Sequence, residues 1–292
     1  MSDIITWSAT QTAQNIADKS ISITEVTEAH ITHAQTVDAK LNCLTQDTFD
    51  IARDQAKSLD ENHPETLPSG FGLPITIKSN IDQIGVPNSN GIPALANNIC
   101  DRDSAVTANL RKSGAVMLGR TNTPEFSLRW CTSNPLHGVS LNPWDNTKTP
   151  GGSSGAAAAA VAAGLGVIAH GNDLGGSLRY PAFCCGVVSI RPSFGRIPNY
   201  NPCAPAERPS IGALMSVNGP IARSVADTRL GLQMMAQPDP RDPINIPNPA
   251  SGRNHIDTPK IGITTDPFGD GVVGDHKLCE HADNLRSELE TL

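Results

Sequence analysis

The sequence predicts an α/β fold around a largely parallel or mixed β-sheet. Three observations carry this expectation. Short apolar runs at 73–77, 115–118 and 167–169 have the length and composition of buried strands. Helical patterns alternate with them along the chain, the order that builds a sheet flanked by helices. Glycine-bearing segments sit where these elements change, as turns require.

The elements follow in order. Residues 1–65 read as a helical lead-in. Ser22-Ile23-Thr24-Glu25 has capping-box spacing, and Val26, Ala29 and Ile31 continue an apolar stripe. A second helix is expected over 49–59. The loop 62–70, with Pro64 and Pro68, separates this lead-in from a catalytic core over 66–235. The strand 73–77 runs into Lys78. A helix over 105–113 stops at Gly114, and 115–118 is the next strand. The alanine run 156–163 is a tightly packed helix that ends near Gly164. The strand 167–169 follows it. Ser224 caps a helix over 225–235. A last stretch, 236–292, supplies a linker, a strand at 260–264 and a helix from His276. All of this is expected to form one domain over 1–292. The helical pattern at 284–292 has no stop signal, so the sheet is expected to be incomplete.

Composition narrows the function. The chain has 292 residues, 38% hydrophobic and 17% charged, as in a globular enzyme. A net charge of −7 and the lack of a basic run argue against direct nucleic-acid binding. No stretch reaches the roughly 18 apolar residues that span a bilayer. Met1-Ser2-Asp3-Ile4 lacks the cationic start of a signal peptide. Seven cysteines with no C-x-x-C pair disfavour zinc and suggest free thiols in a cytoplasmic protein. Cys131, Cys184 and Cys185 read as small buried hydrophobes. None of the eight histidines is assigned a role.

Two Gly/Ser clusters flank the alanine run. The first is Gly151-Gly152-Ser153-Ser154-Gly155. The second is Gly171-Asn172-Asp173-Leu174-Gly175-Gly176-Ser177-Leu178-Arg179. Glycines let successive backbone N–H groups converge, so the amides of Leu174, Gly175, Gly176 and Ser177 are candidates to hold an oxyanion. Ser177 ends that loop and is the natural nucleophile. Lys78 serves as its base only if burial keeps the amine neutral. Ser153, 24 positions before Ser177, can bridge the two. Two rival motifs fail on context. Gly151-Gly152-Ser153-Ser154-Gly155 fits the G-x-S-x-G elbow but follows a polar, proline-bearing segment instead of a strand. Gly164-Leu165-Gly166-Val167-Ile168-Ala169 fits a dinucleotide fingerprint but enters a strand and follows a helix, the reverse order.

Together these residues resemble the amidase signature family of Ser–cis-Ser–Lys amide hydrolases. The similarity extends to Gly119-Arg120-Thr121-Asn122-Thr123-Pro124-Glu125-Phe126, to Asn142-Pro143-Trp144 and to Gly219-Pro220-Ile221-Ala222-Arg223-Ser224-Val225-Ala226-Asp227. The resemblance implies a central mixed sheet flanked by helices, with Ser177 as nucleophile and Lys78 as base. It makes Ser153 the serine after a cis peptide bond. Ser154, Asp173 and Arg179 become supports, and an Asp173–Arg179 contact would brace the loop. It further implies amide hydrolysis through an acyl-enzyme on a small-molecule substrate, with no metal and no organic cofactor. A homodimer is compatible with it.

The chain departs from the family pattern in three ways. Ser79 stands where Asp often follows the lysine, and Ala156 stands where a second glycine often continues the first cluster. Family members are also considerably longer. Two alternatives follow: the glutaminase component of a tRNA-dependent amidotransferase, and an inactive truncated fragment. Tyr180 stands where that component would be expected to carry glutamine.

Overall fold

Capping decides where the first helices begin. Ser8 Oγ accepts from the Gln11 amide and starts α1 (Ala9–Ala17). Ser22 and Glu25 form both halves of the expected capping box at α2 (Ile23–Leu41): Ser22 Oγ accepts from the Glu25 N–H and Glu25 accepts from the Ser22 N–H. These elements belong to a computed structural model that describes residues 4–203, 210–246 and 276–289.

The lead-in is not wholly helical. Leu44–Asp47 forms β1 between α2 and α3 (Phe49–Glu61). Asp38 accepts from the Cys43 and Leu44 amides and turns the chain out of α2. The strand then pairs antiparallel with a strand far along the sequence. Leu44-Thr45-Gln46-Asp47 has no alternation of its own, so this pairing alone makes it a strand.

The expected core elements form: β2 (Pro74–Lys78), α4 (Ala105–Lys112), β3 (Val116–Thr121), α5 (Gly155–Ala162), β6 (Ile168–Asp173) and α8 (Val225–Met235), with β3 and β6 longer than their apolar runs. Between them stand elements that the sequence pattern does not predict: a small hairpin of β4 (Ser133–Asn134) and β5 (Gly138–Val139), α6 (Arg179–Cys185), β7 (Val188–Ser189), α7 (Ser210–Met215) and β8 (Val217–Ala222). Ser224 Oγ caps α8 by accepting from the Asp227 amide, as its sequence predicts. Strand β8 is a surprise, because its sequence holds Gly219 and Pro220. Proline is confined to edges in sheets. Here β7 covers only Ile221 and Ala222, so β8 acts as an edge at Pro220.

The main sheet is mixed and six-stranded, in the order β1-β3-β2-β6-β8-β7. Strands β3, β2 and β6 run parallel, while β1, β8 and β7 pair antiparallel. Two apolar layers cover it. One joins α2, α3 and the alanines of α5 to Val116 and Leu118; the other joins α4 and α8 to Ile75, Ile77 and Met117. Period-2 alternation therefore turns Ile75 and Ile77 away from α5, and leaves Thr76 and Lys78 on the α5 side. Residues Gly155 to Val161 are all buried. A run of methyl groups lets α5 sit close to the strands, and that closeness carries the preceding loop down to Lys78.

The chain divides into two units, Met1–Ala250 and Ser251–Leu292. The second contains α9 (His276–Leu289), matching the helix expected from His276. The strand expected at 260–264 lies outside the described residues. No described helix is long and apolar enough to cross a membrane.

Candidate active site

Lys78 is fully buried at the end of β2. Its Nζ lies 2.7 Å from Ser153 Oγ, 3.0 Å from Ser154 Oγ and 2.7 Å from Asn172 Oδ1. No carboxylate touches it among the described residues. Burial pushes the Lys78 amine well below its ordinary value near 10.5, and the charge of Asp173 restores only part of that.

The first cluster reaches Lys78 because its glycines permit close contact. A Cβ on Gly152 would stand 2.6–2.7 Å from backbone atoms of Arg129, Trp130 and Cys131. The peptide bond between Gly152 and Ser153 is cis. Ser154 precedes α5 but does not cap it. Its Oγ instead accepts from Lys78 and from the Asn172 amide, and so fastens the first cluster to the second.

The second cluster is organised by Asp173. Burial pushes its carboxyl up. Hydrogen bonds from Arg179 and from the Leu178 and Gly176 amides outweigh that and hold it below its ordinary value. Arg179 donates from Nε at 3.1 Å and from Nη2 at 2.9 Å, which is the contact expected from the sequence. Arg191 adds an ion pair at 3.5 Å.

One expected amide is already engaged. The Gly176 N–H donates to Asp173 Oδ1 at 2.8 Å. The Leu174, Gly175 and Ser177 amides have no hydrogen-bond partner among the described residues, and Gly176 makes the turn at φ +115°. Ser177 is buried after this turn. No hydrogen bond joins its Oγ to Ser153 among the described residues.

Asn172 is the member of this site that the sequence does not announce. It is one of three variable positions in the second cluster, and it meets Lys78 because β6 lies beside β2 in the sheet. Neither fact is visible in a linear pattern.

The chain is similar to known proteins over most of its length. A family model described as Amidase matches residues 25–290. The chain belongs to the Amidase family. It is 49% identical over 263 residues to an indoleacetamide hydrolase of Bradyrhizobium diazoefficiens, covering 89% of this chain and 50% of the relative. It is 38% identical over 269 residues to a glutamyl-tRNA(Gln) amidotransferase subunit of Trichodesmium erythraeum, covering 89% and 54%. Among solved structures, a bacterial aryl acylamidase of the amidase signature family superposes with a TM-score of 0.76 at 31% identity, covering 82% of this chain and 49% of that one. The chain thus spans about half the length of these amidase relatives, and its sheet is smaller than theirs.

Aromatic side chains stand near this candidate site. Trp130 and Tyr180 stand with ring centroids 6.1 Å apart, at 49° to each other. Trp130 is 68% exposed, and Phe126, Leu128 and Phe183 are exposed as well. The packing of 129–131 on Gly152 brings Trp130 here, and Tyr180 lies three residues beyond Ser177. Cys131, expected to be buried, is exposed, and Cys184 is only partly covered. The 129–131 segment lies over Gly152 at the surface instead of entering the core.

Proposed function

We propose that the chain hydrolyses amides of aromatic carboxylic acids through an acyl-enzyme on Ser177. The observation that carries this reading is the contact of buried Lys78 with Ser153 Oγ at 2.7 Å, beside a loop with free amides. A neutral lysine has two N–H groups and one lone pair. Asn172 Oδ1 can only accept, and Ser154 takes the second N–H, which leaves the lone pair for the Ser153 hydroxyl. Ser153 then passes its proton to Lys78 while taking one from Ser177. The Ser177 oxygen attacks the carbonyl carbon. Substrate binding must bring Ser177 Oγ within reach of Ser153, since catalytic contacts often tighten only in the complex.

The Leu174, Gly175 and Ser177 amides are the proposed donors to the oxyanion, with Gly176 holding the loop through Asp173. The proton returns through Ser153 to the leaving nitrogen, ammonia or an amine departs, and water releases the acid. The rings of Trp130 and Tyr180 offer an aromatic substrate faces to stack on. The indoleacetamide hydrolase similarity supports the same class. The glutaminase reading ranks lower on identity, 38% against 49%. None of the seven cysteines is in a disulfide, which supports a reducing, cytoplasmic setting.

The test is labelling by a fluorophosphonate, with peptide mapping of the adduct. A single adduct on Ser177 is expected. Absence of labelling, beside a normally labelled longer relative, would favour the inactive-fragment reading. Asp173→Asn probes the loop: an amide there presents N–H groups to the Gly176 and Leu178 amides. We expect kcat to fall by about 100-fold, the order of one lost oxyanion donor, with KM nearly unchanged. An unchanged kcat would show that Asp173 does not hold the loop for catalysis.

A further inference from the structure

A second cluster of reactive side chains lies outside the amide site. Asp82 and Cys100 are buried, and Cys203 reaches the surface. One ligand atom from each, a carboxylate oxygen and two Sγ, lie within 4.8 Å of one another. Cys100 Sγ stands 3.3 Å from Asp82 Oδ1. Around a tetrahedral ion with bonds of about 2.3 Å to sulfur, ligand atoms stand roughly 3.8 Å apart. The three groups thus need only small shifts to share one ion.

We propose that Asp82, Cys100 and Cys203 form a binding site for a thiolate-preferring divalent cation, Zn²⁺ by its chemistry. Carboxylate and thiolate are its usual donors, and three protein ligands leave a fourth position for water. Such a site departs from the expectation that the cysteine pattern carries no metal. No spacing rule applies to it, because Cys100 and Cys203 lie more than 100 positions apart in the sequence.

The frame around these ligands is already fixed. The Asp82 N–H donates to Asn201 Oδ1 at 2.8 Å, and the Cys203 N–H donates to Asp82 Oδ2 at 2.6 Å. The Ser104 amide holds the Asp82 carbonyl at 3.0 Å. Asn88 donates from Nδ2 to Asp82 Oδ1 at 2.6 Å, the kind of outer contact that orients a ligating carboxylate. Asn88 is itself buried, and its Oδ1 has no partner among the described residues. The surface position of Cys203 supplies an entry path.

Cysteine ligates as the thiolate, so ion binding at this site releases protons.

The test is a Co²⁺ titration of the reduced, full chain, followed by its thiolate-to-metal charge-transfer absorption. One equivalent is expected to saturate the band, and Zn²⁺ to erase it. Cys100→Ser and Cys203→Ser should each abolish the band. Asn88→Ala should weaken Co²⁺ binding by about 10–100-fold. Cys203→Ser changes a surface side chain, so its unaltered melting would exclude misfolding as the cause. Absence of a band at one equivalent, or a band that survives both serine substitutions, would overturn the proposal. The readout is independent of the amide reading, which can fail without affecting it.

Discussion

Ser177→Ala is expected to lower hydrolysis of an arylacetamide by about 10,000-fold or more and to eliminate the fluorophosphonate adduct. The fold should not change. Ser177 makes no side-chain hydrogen bond among the described residues, and the loop around it is held by Asp173 through the Gly176 and Leu178 amides and Arg179. Removing the hydroxyl leaves all of those bonds in place. Residual catalysis would come from the remaining amides and from substrate binding. The check is the steady-state rate of ammonia release alongside a thermal melt. Retained turnover, or an adduct on another serine, would sink the nucleophile assignment.

Lys78→Met is expected to be as damaging to turnover and to change stability in a pH-dependent way. Methionine fills nearly the same volume without a titratable group. The sign follows from linkage. Lys78 is neutral in the fold at pH values where the unfolded chain still binds its proton, because burial holds its folded value well below 10.5. The unfolded state therefore carries more protons between the two values, and wild-type stability rises with pH across that window. The Lys78 penalty is absent above 10.5 and grows as pH falls toward the folded value. Its slope is bounded by about 1.4 kcal/mol per pH unit. The difference in Tm, variant minus wild type, should thus grow more positive on going from about pH 9.5 to about pH 7. For a chain of this size, 1 kcal/mol corresponds to about 2–4 °C. A difference independent of pH would mean that folded Lys78 is protonated, and it would then be unfit to act as a base.

The residues of the candidate site were legible because their motifs are local. Gly151 to Gly155 and Gly171 to Arg179 are short continuous segments whose glycines and serines state their own constraints. The capping box at Ser22 and the cap at Ser224 were legible for the same reason: each cap bonds an amide three residues on. Strands β1 and β8 were not. One lacks alternation and the other contains proline, and both exist because a distant neighbour supplies the ladder. The engagement of the Gly176 amide by Asp173 was equally hidden, since it depends on which way a loop N–H points. Asn172 was missed because its partner, Lys78, lies 94 positions away.

The sequence by itself determined the family, the order of most helices and strands, and the identity of the lysine, serines and loop offered for catalysis. Those features depend on residue type and near-neighbour spacing, which the chain carries in linear form. Only the tertiary structure decided that Lys78 is buried without a touching carboxylate, that Asn172 and Ser154 take its hydrogen bonds, and that Asp82, Cys100 and Cys203 converge. The reason is physical. A side chain's pKa and its ligand partners are set by what surrounds it in space, and the sheet order that brings β2, β6 and the distant loops together is fixed by long-range packing.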